Sequence, residues 1–409
     1  MRTVLTADRL IDGTGRPPLP HSALVIEDGR IAGIATGDEV GTALECADRV
    51  DVAGGSILPG FVEMHTHMHC SAEVDPLTDL ETDSHETMLL RSARAMRLTL
   101  GSGVTTSRDL GSRNEVAFAV KQAVQDGIIP GPHMLVTGTP ITTTGGHCHM
   151  FGTEADSVDQ VRAAVRSQVK RGADWIKIMA TGGRFTPRTN PHQPQFPVET
   201  LRAAVEDAAR LGVSVAAHCH ATAGVRNAVE AGVQNLIHAM WLSPDPDAGF
   251  DYDPALANQI AEKGLFVDPT VATLHLRNSR TPGAGDEAGP FGSLDARYEI
   301  LSDMRERGVR FVSGLDSGMN EVHFDDFAWI PQLMAEEVGM SPMEAIVCAT
   351  STSAECLGVL DETGTLEPGK RADAIIVNGD PSADIKTLHE VDTVVKAGQI
   401  VKRGGAMTL

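Results

Sequence analysis

Leu211-Gly212-Val213-Ser214-Val215-Ala216-Ala217-His218 holds a helix end, a glycine stop and a short apolar strand. The same word returns three times. It recurs as Ala231-Gly232-Val233-Gln234-Asn235-Leu236-Ile237-His238 and as Lys263-Gly264-Leu265-Phe266-Val267-Asp268-Pro269-Thr270. It recurs again as Arg307-Gly308-Val309-Arg310-Phe311-Val312-Ser313-Gly314-Leu315-Asp316. Each unit is an amphipathic helix, a glycine C-cap and a buried strand. The apolar run Ile57–Met64 and the segments Gly103–Asp109, His133–Gly138 and Asp174–Ala180 bring the strand total to about eight. Strands alternating with helices make a parallel sheet, and eight units predict a closed (β/α)8 barrel, with an open doubly wound sheet as the other arrangement.

Both ends of the chain read differently. Ala23–Ile26, the turn Glu27-Asp28-Gly29-Arg30 and Ile31–Ile34 form a hairpin pattern. Ala372–Val377 and a second hairpin over Thr393–Val401 echo it at the far end. The expectation is a small β domain built from residues 1–57 and 360–409, with the barrel, residues 58–359, inserted between its halves. The Gly/Pro-rich stretch Thr281–Gly292 reads as a surface loop.

Composition excludes several classes. With 34 basic and 55 acidic residues the formal charge is −21, which repels phosphate backbones and anionic lipid. No nucleic-acid or membrane partner is expected. Aromatics are only 4%, too few for base-stacking platforms. The six cysteines, at 46, 70, 148, 219, 348 and 356, contain no Cys-x-x-Cys pair, so they read as reduced thiols of a cytoplasmic protein. No secretory signal and no membrane-spanning run are evident.

Chemistry concentrates where strands end. His65 and His67 close the first strand, and two positions apart means one face. Lys177 lies within Asp174–Ala180; His218 and His220 close the next strand, His238 the next, and Asp316 the last. In a barrel of this type, functional groups come from the C-terminal ends of several strands. Burying them is costly unless a metal ion or hydrogen bonds satisfy them. His218 and His220 share a face, so either one could be the ligand.

In this order and setting the chain resembles the amidohydrolase superfamily, whose pattern is His-x-His on strand 1, Lys on strand 4, His on strands 5 and 6, and Asp on strand 8. The matching residues are His65, His67, Lys177, His218, His238 and Asp316. The flanking words Leu58-Pro59-Gly60-Phe61-Val62, Gly314-Leu315-Asp316-Ser317-Gly318 and Gly364–Asp373 match too. The resemblance covers essentially the whole chain. It implies a distorted (β/α)8 TIM barrel with a small β-sandwich domain formed from both termini. It also implies two divalent metal ions, zinc foremost, bridged by a hydroxide and by a CO2-derived carbamate on Lys177. Asp316 is implied as the group that moves the proton. His218 is favoured as the ligand over His220.

Substrate contacts are expected from His147, in Gly145-Gly146-His147-Cys148-His149, and from His220, Trp241 and Arg184. The glycine-rich loop and the Asp-Trp-Ile-Lys-Ile setting of Lys177 resemble the dipeptidase and imidazolonepropionase-like branch. Where that branch often carries Glu before the strand-6 histidine, this chain has Ile237. The expected activity is hydrolysis of a C–N amide bond in a small molecule such as a dipeptide or N-acyl amino acid, by a homo-oligomer. The rivals are hydrolysis of a xenobiotic carbamate, thiocarbamate or phenylurea, and a non-catalytic scaffold. Deamination of a cyclic amidine is disfavoured by Lys177.

Overall fold

The computed structural model describes residues 2–45, 47–280 and 293–408. Cys46 and the expected loop Thr281–Gly292 lie outside the described residues. The chain is an α/β protein with two kinds of sheet. The first has eight strands in the order Ala406–Met407, Gln399–Arg403, Val391–Lys396, Ala374–Val377, Asp48–Pro59, Arg2–Leu10, Leu19–Glu27 and Arg30–Thr36. Strands from the two ends of the chain meet where Ile57 pairs with Ile376. The predicted hairpins are present: Glu27 pairs with Arg30 and Lys396 with Gln399, across Asp28-Gly29 and Ala397-Gly398. Alternation decides which side each residue serves. Leu5 joins a buried cluster with Leu24, Ile57 and Ile376, while its neighbour Val4 joins a separate one with Ala23 and Val25.

The second kind is parallel throughout. Phe61–Thr66, Val104–Asp109 and His133–Val136 form one ladder. Trp175–Met179, Ser214–Ala221, Asn235–Leu242, Phe266–Asp268 and Arg310–Phe311 form another, extended at one side by Ile141–Thr142 and Thr153–Glu154. Those last two short strands were not expected from the sequence. Hydrogen bonds also cross between the two ladders. Met64 N–H reaches the Ser313 carbonyl at 2.9 Å, and Asp174 N–H reaches the Val136 carbonyl at 2.8 Å.

Helices follow the strands as the repeated word requires. Thr222–Ala231 stops at Gly232, whose φ of 84° suits glycine and whose N–H bonds the Ala228 and Val229 carbonyls. Its buried face, Val225, Ala228 and Val229, packs with Val215, Ala217 and Leu236 of the strands. Burying each such valine or leucine contributes roughly 1.5–3 kcal/mol, and this packing sets the rigid frame on which the strand ends are carried. No helix among the described residues is long and apolar enough to cross a membrane.

Candidate metal centre

Parallel register fixes where the polar strand ends fall. Met179 lies beside His218, and Cys219 beside His238, so Lys177, His218 and His238 sit on three adjacent strands. Two clusters of donor atoms result. His65, His67 and Asp316 form one, and His218, His220 and His238 the other; within each, the donor atoms lie within 4.8 Å of one another. The clusters adjoin, with the His65 and His238 ring centroids 5.5 Å apart.

In the first cluster, His65 Nε2 and His67 Nε2 are 3.3 Å apart, and Asp316 Oδ1 lies 3.2 Å from the one and 3.5 Å from the other. Each ring is held from behind. His65 Nδ1 contacts Asp268 Oδ2 at 3.0 Å, and His67 Nδ1 contacts the Gly111 carbonyl at 2.9 Å. Those acceptors place the proton on Nδ1 and leave both Nε2 lone pairs turned toward Asp316. Two lone pairs and a carboxylate facing one another repel unless a cation lies between them. The donor set therefore fits a divalent metal ion, and its imidazole-rich chemistry suits zinc.

In the second cluster, His238 Nδ1 contacts Thr270 Oγ1 at 2.9 Å and His218 Nε2 contacts the Gly182 carbonyl at 3.1 Å. His218 and His220 have ring centroids 4.2 Å apart, so the structure brings both to the site. Burial, followed by the charge of a neighbouring histidine, holds all three histidines well below the usual imidazole range. They stand as neutral imidazoles.

Lys177 is fully buried, and its charge bears on every one of these histidines and on Asp316. Desolvation pulls its ammonium down to about 8, partly offset by Asp316. Burial likewise raises Asp316 to about 6, with Lys177 opposing. The expected strand leading to Asp316 is shorter than predicted: the ladder holds only Arg310–Phe311, and Asp316 itself sits at φ 61°. His238, at φ 65°, and Thr270, at φ 45°, share that left-handed backbone. Such conformations cost of order 1–3 kcal/mol each and persist only where surrounding contacts dictate them.

His147 comes to the site as expected. Its ring is 4.5 Å from that of His218, its Nδ1 is buried with no hydrogen-bond partner, and burial followed by Lys177 lowers it to about 3. Arg184 is exposed at the start of the loop after Trp175–Met179, and its charge reaches His220. Trp241 goes elsewhere. Its indole is fully buried, with Nε1 3.3 Å from Met304 Sδ and its ring edge-on to Tyr252 at 5.1 Å. Cys70, Cys148 and Cys219 join no donor cluster among the described residues. His69 packs against Phe151 at 5.0 Å, past the end of the strand.

Several residues of the site escaped the sequence reading. Asp268 and Glu63 are buried carboxylates; Glu63 Oε1 accepts the His65 and Leu315 N–H groups at 2.8 and 3.0 Å, joining the Phe61–Thr66 strand to the segment that follows Arg310–Phe311. Arg297 reaches the backbone behind His238 from a helix. A charged residue inside an apolar strand word was the available signal for Glu63 and Asp268. Arg297 lies on an ordinary amphipathic helix and gave none.

Ochratoxinase of Aspergillus niger is 30% identical over 443 residues, covering 98% of this chain and 87% of that protein. The crystal structure of A. niger ochratoxinase superposes with a TM-score of 0.85 at 28% identity, over 100% of this chain and 98% of its own. A Xaa-Pro dipeptidase with methionine bound in the active site superposes with a TM-score of 0.88 at 27% identity, over 98% of this chain and 100% of its own. A prolidase complexed with N-methylphosphonate-L-proline gives 0.84 at 27% identity, over the same shares. Residues 56–401 match the Amidohydrolase family, and the chain belongs to that family of hydrolases.

Proposed function

We propose that this protein is a metal-dependent amidohydrolase that cleaves a C–N amide bond in a dipeptide or N-acyl amino acid. One observation carries the reading: two clusters of neutral imidazole donors, one including Asp316, adjoin around the buried Lys177. His65 and His67 with Asp316 would hold one divalent ion, and His218 and His238 a second. Lys177, as a CO2-derived carbamate, would supply an oxygen to each. Its depressed pKa supports this, because only the neutral amine reacts with CO2. Bound there, zinc ions would lower the pKa of a water and polarise the substrate carbonyl.

The chain's own groups do the rest. Asp316 takes the proton of the attacking water and delivers it to the leaving nitrogen. His147, whose buried Nδ1 lacks a partner, orients the substrate. His220, in the same cluster as His218, contacts the substrate, and Arg184 at the rim pairs with a substrate carboxylate. The dipeptidase and prolidase neighbours support an amino-acid leaving group.

The same reading includes the domain plan. The eight strands close a distorted (β/α)8 barrel over residues 58–359, supported by the bonds from Met64 to Ser313 and from Asp174 to Val136. Residues 1–57 and 360–409 fold as a small β-sandwich, supported by separate apolar clusters around Leu5 and Val4. A cytoplasmic homo-oligomer fits the five described free thiols, all buried, and the exposed Leu90 and Ile128.

The test is elemental analysis joined to a substrate panel. About two ions per chain, and activity lost on chelation and regained on zinc, are expected. Turnover should favour Xaa-Pro dipeptides or N-acyl amino acids over aryl carbamates and phenylureas. A fully active metal-free chain, or turnover of carbamates and ureas alone, overturns the reading.

A further inference from the structure

Arg297 lies on the helix Leu294–Glu306 and is buried, with no carboxylate beside it among the described residues. Its guanidinium donates instead to three backbone carbonyls: His238 at 2.5 Å, Ala239 at 2.7 Å and Pro269 at 3.4 Å. These carbonyls have a common origin. The ladder between Asn235–Leu242 and Phe266–Asp268 pairs Asn235 with Phe266, Leu236 with Val267 and Ile237 with Asp268, and then stops. Pro269 follows on one side and has no N–H to donate. On the other side His238 and Ala239 take φ of 65° and 44°, two consecutive non-glycine residues in left-handed backbone. A buried carbonyl without a partner is costly, and so is each left-handed residue. Nothing local to the strand favours that conformation.

We infer that Arg297 is a positioning residue of the metal centre, clamping the His238 strand, at the point where its pairing with Phe266–Asp268 stops, to the start of the Thr270 turn so that the His238 imidazole faces the second ion. The mechanical chain is short. The guanidinium fixes the His238 and Ala239 carbonyls on the helix side, which turns the His238 side chain to the opposite side. The same group ties down Pro269, whose neighbour Thr270 receives His238 Nδ1 at 2.9 Å. Register between the two strands is thus held by a side chain where the ladder no longer holds it. A lysine offers one compact ammonium in place of a planar fork and cannot span three carbonyls equally well. The first cluster, His65, His67 and Asp316, receives no hydrogen bond from Arg297.

This inference rests on the binuclear reading, and the test separates the two. Chelator-stripped protein is titrated with cobalt ion alone, following ligand-field absorption, in wild type, Arg297→Met, Arg297→Lys and Leu301→Ala. Leu301 is a buried core residue of the same helix with no group that can hydrogen-bond these carbonyls, so its truncation loosens the helix while leaving the clamp. Wild type should bind two ions. Arg297→Met should weaken one binding event by about 10- to 100-fold, the span seen when groups behind metal ligands are removed, and leave the other within a few fold. Arg297→Lys should fall between. Leu301→Ala should melt earlier with both events intact. Equal weakening of both events in Arg297→Met, or the same selective loss in Leu301→Ala, reduces Arg297 to general stability and overturns the inference. A wild type that binds fewer than two ions overturns the binuclear reading itself, and this inference with it.

Discussion

His65 Nδ1 and Asp268 Oδ2 stand 3.0 Å apart with both side chains out of water. Burial raises the Asp268 carboxyl to about 7, and the His65 ring is held well below the usual range. The contact fixes the His65 tautomer and turns Nε2 toward His67 and Asp316. Asp268→Ala is therefore expected to weaken metal affinity by about 10- to 100-fold. Competition against a zinc-binding dye measures this, with melting as the control for folding. Unchanged affinity would show that the ring is oriented by its packing alone.

Asp316→Asn should keep at least one ion and still bind substrate, while kcat falls by roughly two to four orders of magnitude. Burial raises Asp316 to about 6 with the Lys177 ammonium opposing, and a bound metal ion would lower it, which suits a base at neutral pH. Steady-state kinetics on this variant decide the matter. A near-normal kcat would leave Asp316 as a ligand or a structural residue only.

Lys177→Ala should abolish turnover, and a short carboxylic acid added to that variant should restore part of it by supplying the missing oxygens. Labelled carbon dioxide should enter wild type at a site that the variant lacks. A wild-type protein holding two metals with a free lysine amine refutes the carbamate.

Gly183 is a contact residue of the site through the atom it lacks. A Cβ there would fall 2.3 Å from His147 Cε1 and 2.4 Å from its Nε2. Gly183→Ala should push the imidazole aside and lower kcat/KM by about 10- to 100-fold, since a displacement near 1 Å costs about that much. Metal content should stay at the wild-type value. If kcat/KM is unchanged, His147 does not touch the substrate.

His133 offers a pH test away from the metals. Burial, then Arg371, lowers its imidazole from 6.5 to about 4. Between those values the unfolded chain takes up the proton more readily than the folded one, so stability rises with pH through this window. The contribution is fully present above pH 6.5 and is lost as pH falls toward 4. His133→Gln should lose less melting temperature than wild type between pH 7 and 5, roughly the range over which imidazole titrates. Equal losses would assign the acid lability to the histidines of the centre.

The repeated helix–glycine–strand word determined the parallel strands, because periodicity and glycine stops are local properties of the chain. It also put His218 and His238 on strands, although the sequence ended those strands at the histidines and the structure carries them on to Ala221 and Leu242. Tertiary structure decided the rest, because it depends on register between segments far apart. It set Asp268 behind His65 across 203 positions of chain. It turned Trp241 away into the helical layer, where the left-handed backbone at φ 59° aims the indole at Met304. Alternation had already placed His218 and His220 on one face, and the structure keeps both in one donor cluster. It gave Arg297 its place, because a helix face shows in sequence only that it is amphipathic, and the carbonyls it meets are exposed only where two strands stop pairing.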